Sequence, residues 1–106
     1  MPDKKELTAP QVRDAVRQLV ARGKVWWQRH ADDELEADGL TRLEATECLM
    51  KGYFIEPPVI PNRAGDIQYK FKMRYTIDQQ RIDVVAALKP NIQVVVITAM
   101  DPDRGR

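Results

Sequence analysis

From Ile67 to Ile77 the chain alternates without a break. Ile67, Tyr69, Phe71, Met73, Tyr75 and Ile77 occupy one set of positions, and Gln68, Lys70, Lys72, Arg74 and Thr76 the other. A period of two is the signature of a strand with one buried and one wet face. A strand of this kind belongs to an antiparallel sheet covered on one side only. That requirement constrains the rest of the chain, which must supply partner strands and something apolar to cover the buried face.

The partner strands follow. Asp78-Gln79-Gln80 reads as a hairpin connection, Arg81–Leu88 as the next strand and Lys89-Pro90-Asn91 as its turn. Ile92–Met100 is apolar at successive positions through Val94, Val95, Val96 and Ile97, which suits a central strand. Upstream, Tyr53–Ile55 reads as a strand ended by the run from Pro57 to Pro61. Asn62–Asp66 reads as a loop, and Lys24–Gln28 (KVWWQ) as a short strand.

The cover is helical. Val12, Ala15, Val16, Leu19 and Val20 recur at i, i+3, i+4, i+7 and i+8, one buried stripe of a helix. Thr8 with Gln11 forms a capping box at its start, Pro10 suits its first turn, and Gly23 ends it. A second helix is expected from about Arg29 to Asp38, ending at Gly39. A third starts at the Thr41–Glu44 capping box and ends at Gly52. The expectation is a single α+β domain spanning the 106 residues, with N-terminal helices on one face of a three- to five-stranded antiparallel sheet. Residues 1–7 and 101–106 read as frayed tails.

Composition narrows the function classes. No apolar run approaches the ~20 residues that span a bilayer, so no membrane partner is expected. Charges without an apolar stretch behind them at Met1–Glu6 do not read as a signal peptide. One cysteine, Cys48, cannot form an internal disulfide or a cysteine-based zinc site. A cytoplasmic protein with no cofactor is expected. The 17 basic and 16 acidic residues nearly cancel, but they are unevenly placed. Residues 1–56 hold 9 basic and 11 acidic side chains, and residues 57–106 hold 8 and 5.

Four features are candidates for chemistry. Lys70, Lys72 and Arg74 share the wet side of one strand at roughly 6.6–7 Å intervals, close to the phosphate repeat of a single nucleic-acid strand. No acid interrupts this stripe, and Arg81 follows it, so the four basic residues form a candidate set for binding a polyanion such as a nucleic-acid backbone. A solvated sheet face is the alternative reading. His30, the single histidine, sits between a strand and a helix, where a general acid–base is feasible and a structural role is the alternative. Glu34, one helical turn on, is placed to orient it. The acidic run Asp32–Asp38 reads as a solvated helix face rather than a metal site. Trp26 and Trp27 alternate, so one faces the core and the other is free to stack. Tyr69, Tyr75 and Cys48 read as core.

The residues His30-Ala31, Leu35, Asp38-Gly39-Leu40-Thr41, Ala45, Leu49 and Gly52, with the closing Val94-Val95-Val96-Ile97-Thr98, resemble a family of small bacterial proteins, the domain of unknown function 4258. The resemblance runs from about Val25 to Ala99. That family is similar to the RelE and MqsR toxins, metal-independent ribonucleases of toxin–antitoxin pairs. The resemblance implies a RelE-like fold, RNA as partner (including ribosome-associated mRNA), an antitoxin protein, and endoribonuclease chemistry. In that scheme His30 would take the proton of a 2′-hydroxyl while Lys70 and Arg74 stabilise the phosphate charge. The chain departs from the family at Glu34, where relatives often carry arginine. The alternative is a non-catalytic protein-interaction module of the same fold.

Overall fold

The computed structural model describes residues 6–60 and 67–104. Its elements are α1 (Ala9–Ala21), β1 (Val25–Trp27), α2 (Arg29–Ala37), α3 (Arg42–Lys51), β2 (Tyr53–Val59), β3 (Tyr69–Ile77), β4 (Gln80–Lys89) and β5 (Gln93–Met100). The expected loop at Asn62–Asp66 lies outside the described residues.

The helix ends follow from local chemistry. Thr8 and Gln11 form the capping box of α1, and Thr41 and Glu44 that of α3. Gly23 and Gly39, just past the ends of α1 and α2, have φ of +73° and +69°, the left-handed conformation in which a Cβ is strained. Gly52 ends α3 for a different reason. Its backbone is ordinary, but a Cβ there would lie 2.5 Å from the Cys48 carbonyl oxygen and 2.6 Å from that of Arg74. Glycine is required because α3 docks directly onto the β3 backbone.

The sheet order is β1-β5-β4-β3-β2. The β3–β4 hairpin turns through Asp78 and Gln79, both at positive φ, closing on the Ile77–Gln80 pair. Positive φ at both central residues matches the twist of a two-residue hairpin. β5 is interior, as its apolar run predicts. Two expectations are corrected. The sheet is mixed, not antiparallel throughout: β1 runs parallel to β5, pairing Val25, Trp26 and Trp27 with Val94, Val95 and Val96. The connection from β1 to its parallel neighbour β5 is the long one a parallel pair requires, running through α2, α3 and the three strands β2–β4. β2 also continues through Pro57 and Pro58 to Val59, with irregular register against β3 after Phe54. It is an edge strand, where a missing N–H costs no ladder bond.

One core joins helices and sheet. Val12, Val16 and Leu19 of α1, Ala31 and Leu35 of α2, and Ala45, Cys48 and Leu49 of α3 cluster with Tyr69, Phe71 and Met73 of β3. Ile82, Val84, Ala86, Leu88, Val94 and Val96 complete it. These are the alternate positions of each strand, so Lys70, Lys72 and Arg74 project from the opposite, open face. The expected tail makes contacts over its described residues, 101–104. The Asp101 amide donates to the Asp38 carboxylate at 2.8 Å, Arg81 pairs with Asp103, and Arg104 donates to the Ala37 carbonyl. Residues 101–104 are strapped down, because cations and acids from three elements meet at that end of the sheet. No helix among the described residues is long and apolar enough to cross a membrane.

Candidate functional site

The open face is organised by strand register. Trp26 pairs with Val95, Val95 with Ala87, Ala87 with Lys70, and Lys70 with Val59. Cross-strand partners point the same way, so these five side chains form one row across the sheet. Trp26 is 62% exposed at one end of the row, while Trp27 turns to the core beneath the Arg42 guanidinium, 5.3 Å from its ring centroid. The outward tryptophan of the pair is therefore Trp26. A second row runs Val85, Lys72, Glu56, and a third Asp83, Arg74, Tyr53.

The third row changes the meaning of the basic stripe. Asp83 is 1% exposed and receives both Arg74 Nε and Nη2, at 2.7 and 2.9 Å. Lys72 Nζ stands 3.8 Å from the same carboxylate. No acid interrupts β3, yet one enters from β4 directly opposite Arg74. This bidentate contact pushes the Arg74 pKa further up and holds its guanidinium in place. Arg81 is likewise engaged by Asp103, which raises the arginine and lowers the carboxyl. Lys70 enters no ion pair among the described residues. The residue that sequence reasoning missed is Asp83. Its signal was an acid inside the otherwise apolar Ile82–Leu88 run, where an unpaired charge would be costly.

His30 is placed elsewhere. It lies in the first turn of α2, exposed, with Nε2 3.3 Å from Glu34 Oε1 but without hydrogen-bond alignment. Ala31 and Leu35 bury α2 on the core side of the sheet, whereas Lys70 and Arg74 emerge on the open side. β1, which leads into α2, is also three strand spacings from β3, about 14 Å. His30, Lys70 and Arg74 are therefore not brought to one phosphate, because sheet thickness and strand order both intervene. The acidic run is only partly a solvated face. Asp32 accepts from Arg42 Nε and Nη2 at 2.8 and 2.6 Å, which holds its carboxyl below the usual range and ties α2 to α3. Asp38 is enlisted by the C-terminal strap.

Beside the stripe, the irregular β2–β3 pairing opens a cleft of about 250 Å³. Glu56, Pro57, Val59, Lys70, Lys72 and Val85 line it. The register shifts flank Glu56, so β2 leaves the ladder where the two prolines begin.

No protein-family model, curated protein or solved structure matches this chain. The site is thus read from its own geometry. That geometry offers fixed cations, a lysine (Lys70) in no ion pair among the described residues, an outward tryptophan and a small mixed-polarity cleft, all on a single sheet face.

Proposed function

We propose that this chain is a RelE-like RNA-binding domain that holds single-stranded RNA on the open face of its sheet. One observation carries the reading: strand register puts Lys70, Lys72, Arg74 and Arg81 on the same face as the exposed Trp26. Lysines that track a backbone and an aromatic ring that stacks a base are the two parts of a single-strand platform. Asp83 fixes the Arg74 side chain while leaving Lys70 free, so the face stays cationic but not indiscriminately so. An antitoxin protein covering this face is the partner that accompanies the reading. The His30 proton-transfer scheme is not part of it, because His30 stands on the other side of the sheet.

The test is the affinity for a labelled single-stranded RNA measured across salt concentrations. Each phosphate contact contributes about 0.7 to the slope of log affinity against log salt for a single strand. On an oligouridylate, Lys70→Ala should flatten that slope by about one contact, and Lys72→Ala by less, because Asp83 already draws the Lys72 ammonium. Binding that is absent, or indifferent to salt, would sink the proposal.

The alternative, a non-catalytic protein-interaction module, is favoured by a separate observation. Arg74, Lys72 and Arg81 already have internal carboxylate partners, and the face exposes Trp26, Tyr53 and Val59. If RNA fails to bind while Trp26→Ala abolishes capture of an adjacently encoded protein, this second reading stands.

A further inference from the structure

The cleft between β2 and β3 combines features that a plain backbone-tracking surface does not need. It has apolar walls from Pro57, Val59 and Val85, a carboxylate at Glu56 and ammonium groups at Lys70 and Lys72. At about 250 Å³ it falls just short of the roughly 300–1,000 Å³ of sites for drug-sized ligands. It therefore suits a single flat ring system. Glu56 and Lys70 enter no ion pair among the described residues, so both keep their hydrogen-bonding capacity for a ligand. The prolines and the register shifts keep β2 from closing onto β3.

We infer that this cleft is a base-recognition pocket for guanine in single-stranded RNA, an inference that rests on the RNA-binding reading above. The chemistry selects the base. A carboxylate accepts only, and guanine presents two adjacent donors, N1–H and the N2 amino group, on one edge. A lysine donates only, and guanine presents O6 and N7 as acceptors beside that edge. Adenine opposes the carboxylate with the N1 lone pair, cytosine with N3, and uracil supplies one donor where guanine supplies two. Splayed-out bases read on their Watson–Crick edges are how proteins recognise single-stranded RNA sequence. Lys72, drawn toward Asp83, stays on the backbone side, and Lys70 is the lysine that reads the ring.

The experiment compares an oligouridylate with the same oligomer carrying one central guanosine, adenosine or cytidine, each titrated against the full chain. The guanosine oligomer should bind about tenfold more tightly than the others. Glu56→Ala, a change at an exposed edge-strand residue, should remove that preference, so that the guanosine oligomer binds no more tightly than the adenosine and cytidine oligomers. Guanosine monophosphate, but not adenosine monophosphate, should shift the Val59 and Val85 methyl resonances. Equal affinity for all four oligomers, with salt dependence retained, would overturn the guanine pocket and leave the RNA-binding reading in place. No binding to any of them would overturn both.

Discussion

Arg74 and Asp83 sit opposite each other in the β3–β4 ladder and are joined by two parallel hydrogen bonds of 2.7 and 2.9 Å. The carboxylate is buried while the guanidinium is about a quarter exposed, so the pair anchors a cation at the surface from below. A buried acid would be costly without such a partner, and a free arginine would wander. Asp83 thus does two things at once: it subtracts charge from the open face and gives Arg74 a fixed position.

Asp83→Asn keeps the side-chain shape and removes the negative charge. Affinity for single-stranded RNA should rise, and its salt dependence should steepen, because Arg74 and Lys72 are released to phosphates. Asp83→Ala should also lower stability by about 1–3 kcal/mol, through lost charge-assisted hydrogen bonds. Salt titration of binding and urea unfolding measure the two effects separately. A weakened affinity in a folded Asp83→Asn protein would mean that Asp83 positions Arg74 for the ligand rather than competing with it.

Gly52→Ala should destabilise the fold by about 1–3 kcal/mol, the usual range for overpacking. The new Cβ would press on two backbone oxygens, of Cys48 and Arg74, neither of which can swing away as a side-chain tip could. The midpoint of urea unfolding reports it. An unchanged midpoint would show that α3 can lift off β3 freely.

The C-terminal strap should loosen in acid. Arg81 holds the Asp103 carboxyl below its ordinary value of 3.8. A lowered folded-state pKa means that the stabilisation is present above the ordinary value and is lost as pH falls through the lowered one. Amide exchange at Asp101 and Asp103 should therefore accelerate only in that acidic window. Faster exchange already at neutral pH, matching that of Asp103→Asn, would show that the ion pair does not hold the strap.

His30→Ala should leave stability within about 0.5 kcal/mol, as surface substitutions usually do, and RNA affinity unchanged. The ring is exposed, on a helix packed against the core side of the sheet, with Nε2 3.3 Å from Glu34 Oε1. A many-fold drop in affinity, measured by fluorescence anisotropy, would bring the α2 end into the interface.

Cys48 should resist alkylation in the native protein and react readily once unfolded. It is fully buried, and burial with the nearby Asp83 charge pushes its thiol up to about 12, so little thiolate is present near neutral pH. Native-state labelling at the unfolded rate would contradict its place in the core.

Much of this architecture was legible before any coordinates. The β3 alternation, the α1 stripe, both capping boxes and the helix-ending glycines are produced by interactions between residues two to four apart, and such spacings are written in the chain. The three basic residues of β3 on one face followed from the same alternation, whereas Arg81 joins them through the β3–β4 register. What could not be read was everything that depends on which strand lies beside which. The parallel β1–β5 pairing, the arrival of Asp83 opposite Arg74, the capture of Arg81 by Asp103 and the separation of His30 from the stripe all arise from register and strand order. Even Gly52, marked correctly as a helix end, is glycine because of a strand that joins the fold later in the chain, at Arg74. Local periodicity chose the elements and their faces. Long-range pairing, which sets distances between charges remote in the chain, decided which cations meet a carboxylate.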